Sequence, residues 1–259
     1  MALIKYQGDF RFGDRKLSDF SGIKYNPDSN GIPYTSMPSP RHNTTTLSNV
    51  NGEKYFSTTY DSRTITIPVF IYDDIDIDNF YAWIGKDTPQ VFSFIDDFKE
   101  IDAILNKGLD ISQWYTPSFR GLTEIELICF DPLWRLKKEF PIIYENPVIN
   151  MIYQFKTVAN VKSKPIIKIT PNGTQTKIKF KFNDMTITLN NINTQIFIDS
   201  YDGEVYKIVN NERVNMFTQY EYISNYEILP VIKPLVANEF VLLEGSITKV
   251  EIIPNSRIL

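Results

Sequence analysis

The sequence predicts a mainly β protein built from two domains. Its 259 residues exceed the usual length of a single domain, so two domains are expected. The chain holds 15 tyrosines and 18 phenylalanines beside many isoleucines, valines and threonines, which are the residue types that suit a pleated sheet. Short segments with an apolar residue at every second position, separated by turn-forming residues, recur in both halves of the chain.

The N-terminal half begins with short strands and tight turns within residues 10–23. A longer strand is predicted at 63–71, because its alternate apolar residues would share one face of a sheet; these are Ile65, Ile67, Val69 and Ile71. Pro68 has no N–H to donate to a neighbouring strand. It therefore predicts that this strand lies at a sheet edge or contains a bulge.

Three more elements are predicted before residue 140. Residues 78–84 are expected to form a short helix, with acidic residues near its start and Gly85 placed to end it. Residues 91–95 form a strand. Residues 123–130 form another strand, which Asp131-Pro132 ends. The inward residues of that strand are Ile125, Leu127 and Cys129, and its outward residues are Glu124 and Glu126.

Residues 26–48 are predicted to form a long loop. Four prolines lie here among asparagine, serine, glycine and threonine; they are Pro27, Pro33, Pro38 and Pro40. Long loops inside compact domains are uncommon and tend to be functional or disordered. An extended stretch of about 20 residues spans about 60–70 Å, which is enough to contact a neighbouring subunit.

The C-terminal half is predicted to be a β-sandwich or jelly roll. Helix and strand signals lapse around residues 140–147, which places the domain boundary there and gives domains 1–140 and 141–259. About seven strands with turns every 8–12 residues are typical of such a fold. The predicted strands are 165–170, 177–182, 185–189, 195–199, 204–209, 240–243 and 247–253. Within 177–182 three lysines face outward, while Ile178, Phe180 and Phe182 face inward.

Charge and cysteine content limit the function classes. A net charge of −4 and a pI near 5.2 provide no global basic field for nucleic acid or anionic lipid. The single cysteine, Cys129, excludes an intrachain disulfide and a multi-cysteine zinc site. No secretory signal or membrane span is recognisable, so we expect the chain to fold in a reducing cytoplasm.

The sequence predicts a protein that is not an enzyme and needs no cofactor. His42 is the only histidine, and no Gly-x-Ser-x-Gly elbow accompanies it to form a catalytic triad. Cys129 lies on the inward face of its strand, which favours a buried, inert thiol over a nucleophile. No metal or catalytic residue is therefore assigned.

The acidic run 73–78 has two interpretations. Asp74, Asp76 and Asp78 have the spacing that opens an EF-hand calcium loop. However, the glycine and glutamate that such a loop needs are replaced by Asn79 and Gly85. A solvated connection that caps the following helix is favoured, and calcium binding stays open.

A second function hypothesis concerns carbohydrate. The tyrosines at positions 201, 206, 220, 222 and 226 have rings that can stack on sugars, although core packing and subunit contact suit them equally well. The alternative function is therefore a carbohydrate-binding adhesion module that recognises the host cell wall.

The order and spacing of several segments resemble the distal tail protein family of siphophages and related tail-like particles. In the N-terminal half these segments are Phe10-Arg-Phe-Gly13, Ser18-Asp-Phe-Ser-Gly22, Asn51-Gly-Glu53, the strand 63–71, Phe80-Tyr-Ala-Trp-Ile84 and Leu127-Ile-Cys-Phe-Asp-Pro132. In the C-terminal half they are Phe197-Ile-Asp199, Asp202-Gly203, Val205-Tyr206, Lys249-Val-Glu-Ile-Ile-Pro254 and Arg257. One turn departs from the family pattern. Many members have Pro-Gly-x-Asn where this chain has Lys233-Pro-Leu-Val-Ala-Asn238.

The resemblance implies a structural role at the tip of a phage tail. The N-terminal domain would be similar to the tail-tube fold and would form a hexameric ring, or a stack of two rings, with a galectin-like C-terminal sandwich outside. The ring would join the tail tube protein to the baseplate hub, the tail fibre or a tail-associated lysin protein, and linear DNA would pass through its lumen. The expected location is the virion tail tip, after assembly in the cytoplasm of the host bacterium.

The long loop and the strand after it are the predicted contact between subunits. A closed ring needs a contact between two different surfaces of the same chain, and residues 33–63 are suited to reach an adjacent subunit. The candidate interface residues are Pro33, Pro38, Pro40, Arg41, His42, Tyr55 and Arg63.

Overall fold

The computed structural model describes residues 8–25, 37–46, 51–73, 75–109, 121–224 and 227–259. The chain divides into two compact units, one covering residues up to 137 together with residue 259, and the other covering 138–258. The described residues are mostly strand, which confirms the predicted fold class.

The described residues of the first unit form ten strands and two short helices. The strands are β1 (Phe10–Phe12), β2 (Arg15–Lys16), β3 (Ile23–Tyr25), β4 (Pro40–Thr46), β5 (Glu53–Tyr60), β6 (Arg63–Ile71), β7 (Gln90–Phe94), β8 (Lys99–Leu105), β9 (Gly121–Cys129) and β10 (Trp134–Leu136). The helices are α1 (Ile77–Ile84) and a 3-10 turn (Leu17–Asp19). Seven strands form one antiparallel sheet in the order β2-β1-β7-β8-β9-β6-β3, and β10 pairs with β8. Strands β4 and β5 pair only with each other among the described residues.

Helix α1 packs on this sheet through an aromatic cluster. Phe80, Trp83 and Ile84 are buried on one side of the helix. The Trp83 ring lies 4.8 Å from the Phe20 ring and 5.7 Å from the Phe10 ring, distances at which aromatic pairs stabilise a core. The predicted helix at 78–84 is thus confirmed, with one more residue at its start.

The prediction for the strand at 63–71 is correct for its buried face and wrong for its position. Its four alternate apolar residues are all buried. However, β6 is not an edge strand, because β9 pairs with it continuously from Arg63 to Ile71, and β3 lies on its other side. Strand β3 reaches only as far as Val69. Pro68 therefore lies one position beyond the last residue that pairs with β3, so among the described residues its missing N–H interrupts no pairing on that side of β6.

In the second unit the described residues form twelve strands. They are β11 (Ile142–Glu145), β12 (Ile152–Phe155), β13 (Ile166–Pro171), β14 (Gln175–Phe182), β15 (Met185–Ile192), β16 (Ile196–Asp199), β17 (Glu204–Val209), β18 (Glu212–Asn215), β19 (Tyr220–Ile223), β20 (Asn238–Glu244), β21 (Ile247–Ile253) and β22 (Arg257–Ile258), with a 3-10 turn at Phe217–Gln219. Two sheets, β11-β21-β13-β16-β17-β18 and β12-β20-β14-β15-β19, share one apolar core. The predicted sandwich pattern of two layers is present, with more strands than the seven expected.

The additional strands in this unit are mostly edge strands. Residues 142–145, which the sequence pattern treats as a lapse between domains, form β11 at the edge of the six-stranded sheet. Strands β12, β18 and β19 are also at edges. Edge strands are short and half-exposed, so they lack the clean alternation that identifies the central strands.

The turn that departs from the family pattern is organised by Asn238. The buried Asn238 side-chain oxygen accepts hydrogen bonds from the Lys233 backbone N–H at 2.8 Å and from the Asn183 side-chain amide at 2.8 Å. Its own amide donates to the Lys233 carbonyl at 3.0 Å. Within this turn Leu235 has a φ of 60°, a left-handed conformation that favours glycine.

Candidate functional site: an exposed hairpin arm

A two-stranded arm formed by β4 and β5 is exposed along most of its length. Its two strands pair from Pro40–Tyr60 at the base to Thr46–Glu53. All seven residues of β4 and the first five of β5 are exposed. An isolated hairpin without a buried face is only marginally stable in water. The arm therefore gains little stability from burial of its own side chains.

The predicted long loop at 26–48 is thus partly wrong. Residues 40–46 form a strand because they pair with β5. The threonines at 44–46 are residues that suit a strand. The pattern of prolines and small polar residues hid this strand, whose side chains face solvent on both sides. The remaining parts of the loop, 26–36 and 47–48, lie outside the described residues.

Side-chain contacts hold the two strands of the arm together. The His42 ring nitrogen Nδ1 lies 3.0 Å from the Thr58 hydroxyl, and the Tyr55 hydroxyl lies 2.7 Å from the same oxygen. The Asn43 amide donates to Ser57 at 2.9 Å. At the base of the arm the Asp61 N–H donates to the Ser39 carbonyl at 3.0 Å. His42 therefore serves as a cross-strand partner within the arm.

Exposed aromatic rings are the other notable property of the arm. The residue exposure is 58% for Tyr55 and 59% for Phe56. A register shift between Asn43 and Thr44 interrupts the pairing beside them. Large aromatic side chains with this exposure are typical of residues that become buried at protein interfaces.

The structure divides the predicted interface residues into three groups. Pro40, Arg41, His42 and Tyr55 lie exposed on the arm, where Arg41 forms an ion pair with Asp61. Pro38 and Arg63 are buried, so they do not belong to the exposed surface. Pro33 lies outside the described residues.

Arg63 instead belongs to the core of the first unit. It is directly opposite Cys129 in the β6–β9 pair, and its guanidinium carbon lies 5.6 Å from the centre of the Trp134 ring. Burial lowers the pKa of Arg63, while the neighbouring Cys129 acts in the opposite direction. The sequence pattern gave no sign of this, because an arginine at the start of a strand is usually solvated.

Cys129 is buried, as its position on the inward face of the strand predicts. Burial raises the pKa of its thiol to about 12, and the positive charge of Arg63 only partly offsets this. A thiol with this pKa is protonated at neutral pH, whereas the thiolate is the nucleophile.

The acidic run before α1 caps the helix. The Asp76 carboxylate accepts a hydrogen bond from the Asn79 backbone N–H at 3.0 Å, so the capping interpretation is confirmed for this residue. Asp74 lies outside the described residues. In the part of the chain that the structure describes, no group of three or more acidic, histidine or cysteine side chains is arranged to hold a metal ion.

The tyrosines proposed to stack on sugars have different environments. Tyr220 is buried and donates to the Ile228 carbonyl at 2.8 Å. Tyr206 is covered by Arg213, whose guanidinium carbon lies 4.5 Å from the ring centre, and it stacks on Phe197. Tyr201 and Tyr222 are exposed, and Tyr226 lies outside the described residues. Carbohydrate binding stays a prediction that would depend on these two exposed rings.

Comparison with known proteins shows that the chain is similar to proteins of phage tails. Residues 18–101 match the family model of the phage tail protein RIFT-related domain. This match includes β3 to β7, α1 and the arm. Residues 18–101 of the first unit are therefore similar to a phage-tail domain.

Over nearly its whole length the chain has the fold of a Dit protein. The crystal structure of SPP1 Dit, described as a paradigm of hub adsorption apparatus in phages that infect Gram-positive bacteria, matches with a TM-score of 0.66 and 14% identity. The match covers 96% of this chain and 98% of that chain. The baseplate of phage p2 in its activated conformation with Sr gives a TM-score of 0.46, with 9% identity over 94% of this chain and 97% of that chain. No curated protein sequence matches the chain.

The match to the phage tail family model and the fold shared with SPP1 Dit confirm the resemblance to the distal tail protein family. None of the helices in the described part of the chain is both long and apolar enough to span a membrane.

Proposed function

We propose that this protein is a structural component of a bacteriophage tail tip. It forms a ring, a hexamer by analogy with the family, that joins the tail tube to the baseplate hub or the tail fibre. The observation that carries this proposal is the match of residues 18–101 to a phage tail domain, together with the fold shared with a Dit protein over nearly the whole chain.

The first unit builds the ring in this proposal. A closed ring requires that one surface of each subunit binds a different surface of the next subunit. The arm is suited to be the first of these surfaces because it lies away from the seven-stranded sheet and has no buried face of its own. In this proposal the arm, which extends from Pro40 to Tyr60, is the part of the predicted segment 33–63 that contacts the adjacent subunit.

The exposed aromatic residues of the arm supply the binding energy. Tyr55 and Phe56 offer two large rings with the threonine-rich surface of β4 beside them. Burying apolar area stabilises a complex by about 25 cal/mol per Å². Large rings such as these are therefore the principal contributors to binding at an interface. A specific interface of about 1,200–2,000 Å² would be completed by other surfaces of the first unit.

The second unit lies on the outside of the ring in this proposal and serves as the galectin-like outer domain. Tail tube protein, hub protein and a fibre or lysin protein are the partners, and linear DNA passes through the lumen. The net charge of −4 suits a conduit that must not retain DNA. The assembled protein resides in the virion tail, after assembly in the bacterial cytoplasm.

Shortening the arm tests the proposal directly. Pro40 and Tyr60 are paired at its base, so residues 41–59 can be replaced by Asn-Gly, which closes a two-residue hairpin. No residue of the apolar core is removed, so the thermal unfolding midpoint should be unchanged. Native mass spectrometry should show a ring for the full chain and loss of the ring for the shortened chain.

A matched control is available in the second unit. The β17–β18 hairpin is also exposed at its tip, where Asn210 and Asn211 form the turn. Shortening that hairpin by replacing residues 208–213 with Asn-Gly should leave the ring intact. A ring of unchanged mass after removal of the arm would contradict the proposed contact, and a monomeric full chain at all concentrations would contradict the ring itself.

A further inference from the structure

An aromatic patch that includes a lysine lies at the β3 edge of the seven-stranded sheet. Lys24 on β3 is directly opposite Phe70 on β6, and Phe70 is directly opposite Leu122 on β9. These three side chains therefore form one row across the sheet. The Lys24 ammonium lies 5.8 Å from the centre of the Phe70 ring and 5.4 Å from the centre of the Tyr72 ring. These four residues form the Lys24 patch.

The Lys24 patch combines exposed apolar area with an available positive charge. The exposed fraction is 68% for Leu122 and 44% for Tyr72, and Lys24 is exposed beside them. No ion pair in the described part of the chain involves Lys24. Contiguous apolar patches on a protein surface mark sites of interaction. This patch suits a partner that presents an aromatic side chain next to a carboxylate.

One face of the arm has this complementary composition. Alternate residues of a strand share a face, so Glu53 and Tyr55 lie on one face of β5 and Lys54 lies on the other. The hydroxyl of Thr44, which is opposite Tyr55, donates to the Glu53 carboxylate. The His42 ring lies 6.1 Å from the Tyr55 ring. Glu53, Tyr55 and His42 therefore form the acidic face of the arm.

The arm and the Lys24 patch begin at opposite ends of β6 in one chain. The base of the arm is at Asp61, two residues before β6 begins at Arg63, whereas Phe70 lies at the far end of the strand. At about 3.3 Å per residue, the seven residues from Arg63 to Phe70 span about 23 Å. Among the described residues no ion pair joins Glu53 to Lys24. Each of the two surfaces is therefore available to another copy of the chain.

Charge distinguishes the Lys24 patch from the exposed phenylalanines elsewhere in the first unit. Phe98 and Phe130 are 58% and 68% exposed. An aspartate is adjacent to each of them in the sequence, at positions 97 and 131. Near these rings Glu53 would approach a like charge, which is unfavourable at an interface. At the Lys24 patch it meets an opposite charge.

We propose that the Lys24 patch binds the acidic face of the arm of a second copy of this chain. The Glu53 carboxylate pairs with the Lys24 ammonium, and the Tyr55 ring packs on the row formed by Phe70 and Leu122. This acceptor surface presupposes the proposed function, in which the arm contacts the adjacent subunit. Because the contact joins two different surfaces, each copy gives its arm to one neighbour and accepts the arm of another. Repetition of such a head-to-tail contact closes a ring when the rotation between copies allows it.

Exchange of the two charges tests this contact in the full chain. Lys24→Glu sets two carboxylates against each other and should weaken association, measured by sedimentation over a concentration series, by about tenfold or more. Glu53→Lys should have the same effect, because it brings two cations together. The double variant Lys24→Glu/Glu53→Lys restores an opposite pair and should associate within about threefold of the wild type. Native mass spectrometry should show the ring for the wild type and the double variant, and loss of the ring for each single variant.

Lys54→Glu is the matched control, because it makes the same change in net charge as Lys24→Glu but on the opposite face of the arm. It should leave the ring intact. All three substituted residues are exposed, so the thermal midpoints of the variants should agree. The contact is overturned if Lys24→Glu leaves the ring intact, if the double variant does not regain it, or if Lys54→Glu removes it equally. Loss of the ring with the shortened arm but not with Lys24→Glu would overturn the acceptor surface alone, whereas a full chain that forms no ring would overturn both this contact and the proposed function.

Discussion

The indole N–H of Trp83 donates a hydrogen bond to the backbone carbonyl of Phe12 at 2.8 Å, and both residues are buried. This contact joins helix α1 to strand β1 across 71 positions of the chain. The helix is thereby fixed to the sheet of the first unit.

Replacing Trp83 by phenylalanine should destabilise the protein by about 2–4 kcal/mol. The change removes the indole donor to the buried Phe12 carbonyl and also leaves a void in the aromatic cluster. Chemical denaturation measures the effect as a lower midpoint with an unchanged slope. Tyr81→Phe, on the outer side of the same helix, serves as the control and should change stability by less than about 0.5 kcal/mol. An equal effect of the two substitutions would contradict the role of the indole.

Leu235→Gly should stabilise the protein by about 0.5–1 kcal/mol. Leu235 is 77% exposed and has a φ of 60°, a conformation that costs a residue with a Cβ about 1–2 kcal/mol. Glycine removes this strain, although it increases the entropy of the unfolded chain. Val236→Gly, one position on and outside the left-handed region, should instead destabilise the protein by a similar amount. Thermal unfolding of both variants separates these outcomes, and a loss of stability in both would show that Leu235 is not strained.

Gly245→Ala should cost about 3 kcal/mol, and clearly more than Gly203→Ala. Both glycines have positive φ, of 92° and 77°, so both substitutions incur strain of about 1–2 kcal/mol. A Cβ at Gly245 would also lie 2.6 Å from the Lys177 carbonyl, whereas the space around Gly203 is open. Displacing backbone of β14 adds an overpacking cost of about 1–3 kcal/mol. Denaturant midpoints of the two variants measure the difference, and equal midpoints would rule out the close contact.

Cys129 should resist alkylation in the folded protein. Burial raises its pKa to about 12, so at pH 8–9 the native thiol is protonated, while the unfolded thiol ionises near pH 8.5. Labelling with iodoacetamide should be at least tenfold slower in native buffer than in denaturant. Rapid labelling of the native chain would show that the thiol is accessible.

The same pKa difference predicts a dependence of stability on pH. The folded state binds the thiol proton more tightly, so the stability associated with it is fully present below about pH 8.5 and is lost as the pH rises towards 12. The free energy of unfolding should therefore fall with rising pH faster in the wild type than in Cys129→Ala. The extra slope is at most about 1.4 kcal/mol per pH unit.

The sequence by itself determined the elements whose pattern is set by burial on one face. In β6, β9 and β14 apolar and polar residues alternate because one side of the strand meets a core, and the pattern identifies the buried face without further information. The capping aspartate and the terminating glycine of α1 likewise act within one turn of the helix, so local sequence is sufficient to predict them.

Only the tertiary structure decided how the exposed segments pair and which polar residues are buried. Strand β4 has no buried face, so its hydrogen bonds to β5 carry no hydrophobic signal. Arg63 is in the core because β9 and Trp134 cover it, and both are distant in sequence. These features depend on partners far along the sequence, and periodicity within a short window contains no information about them.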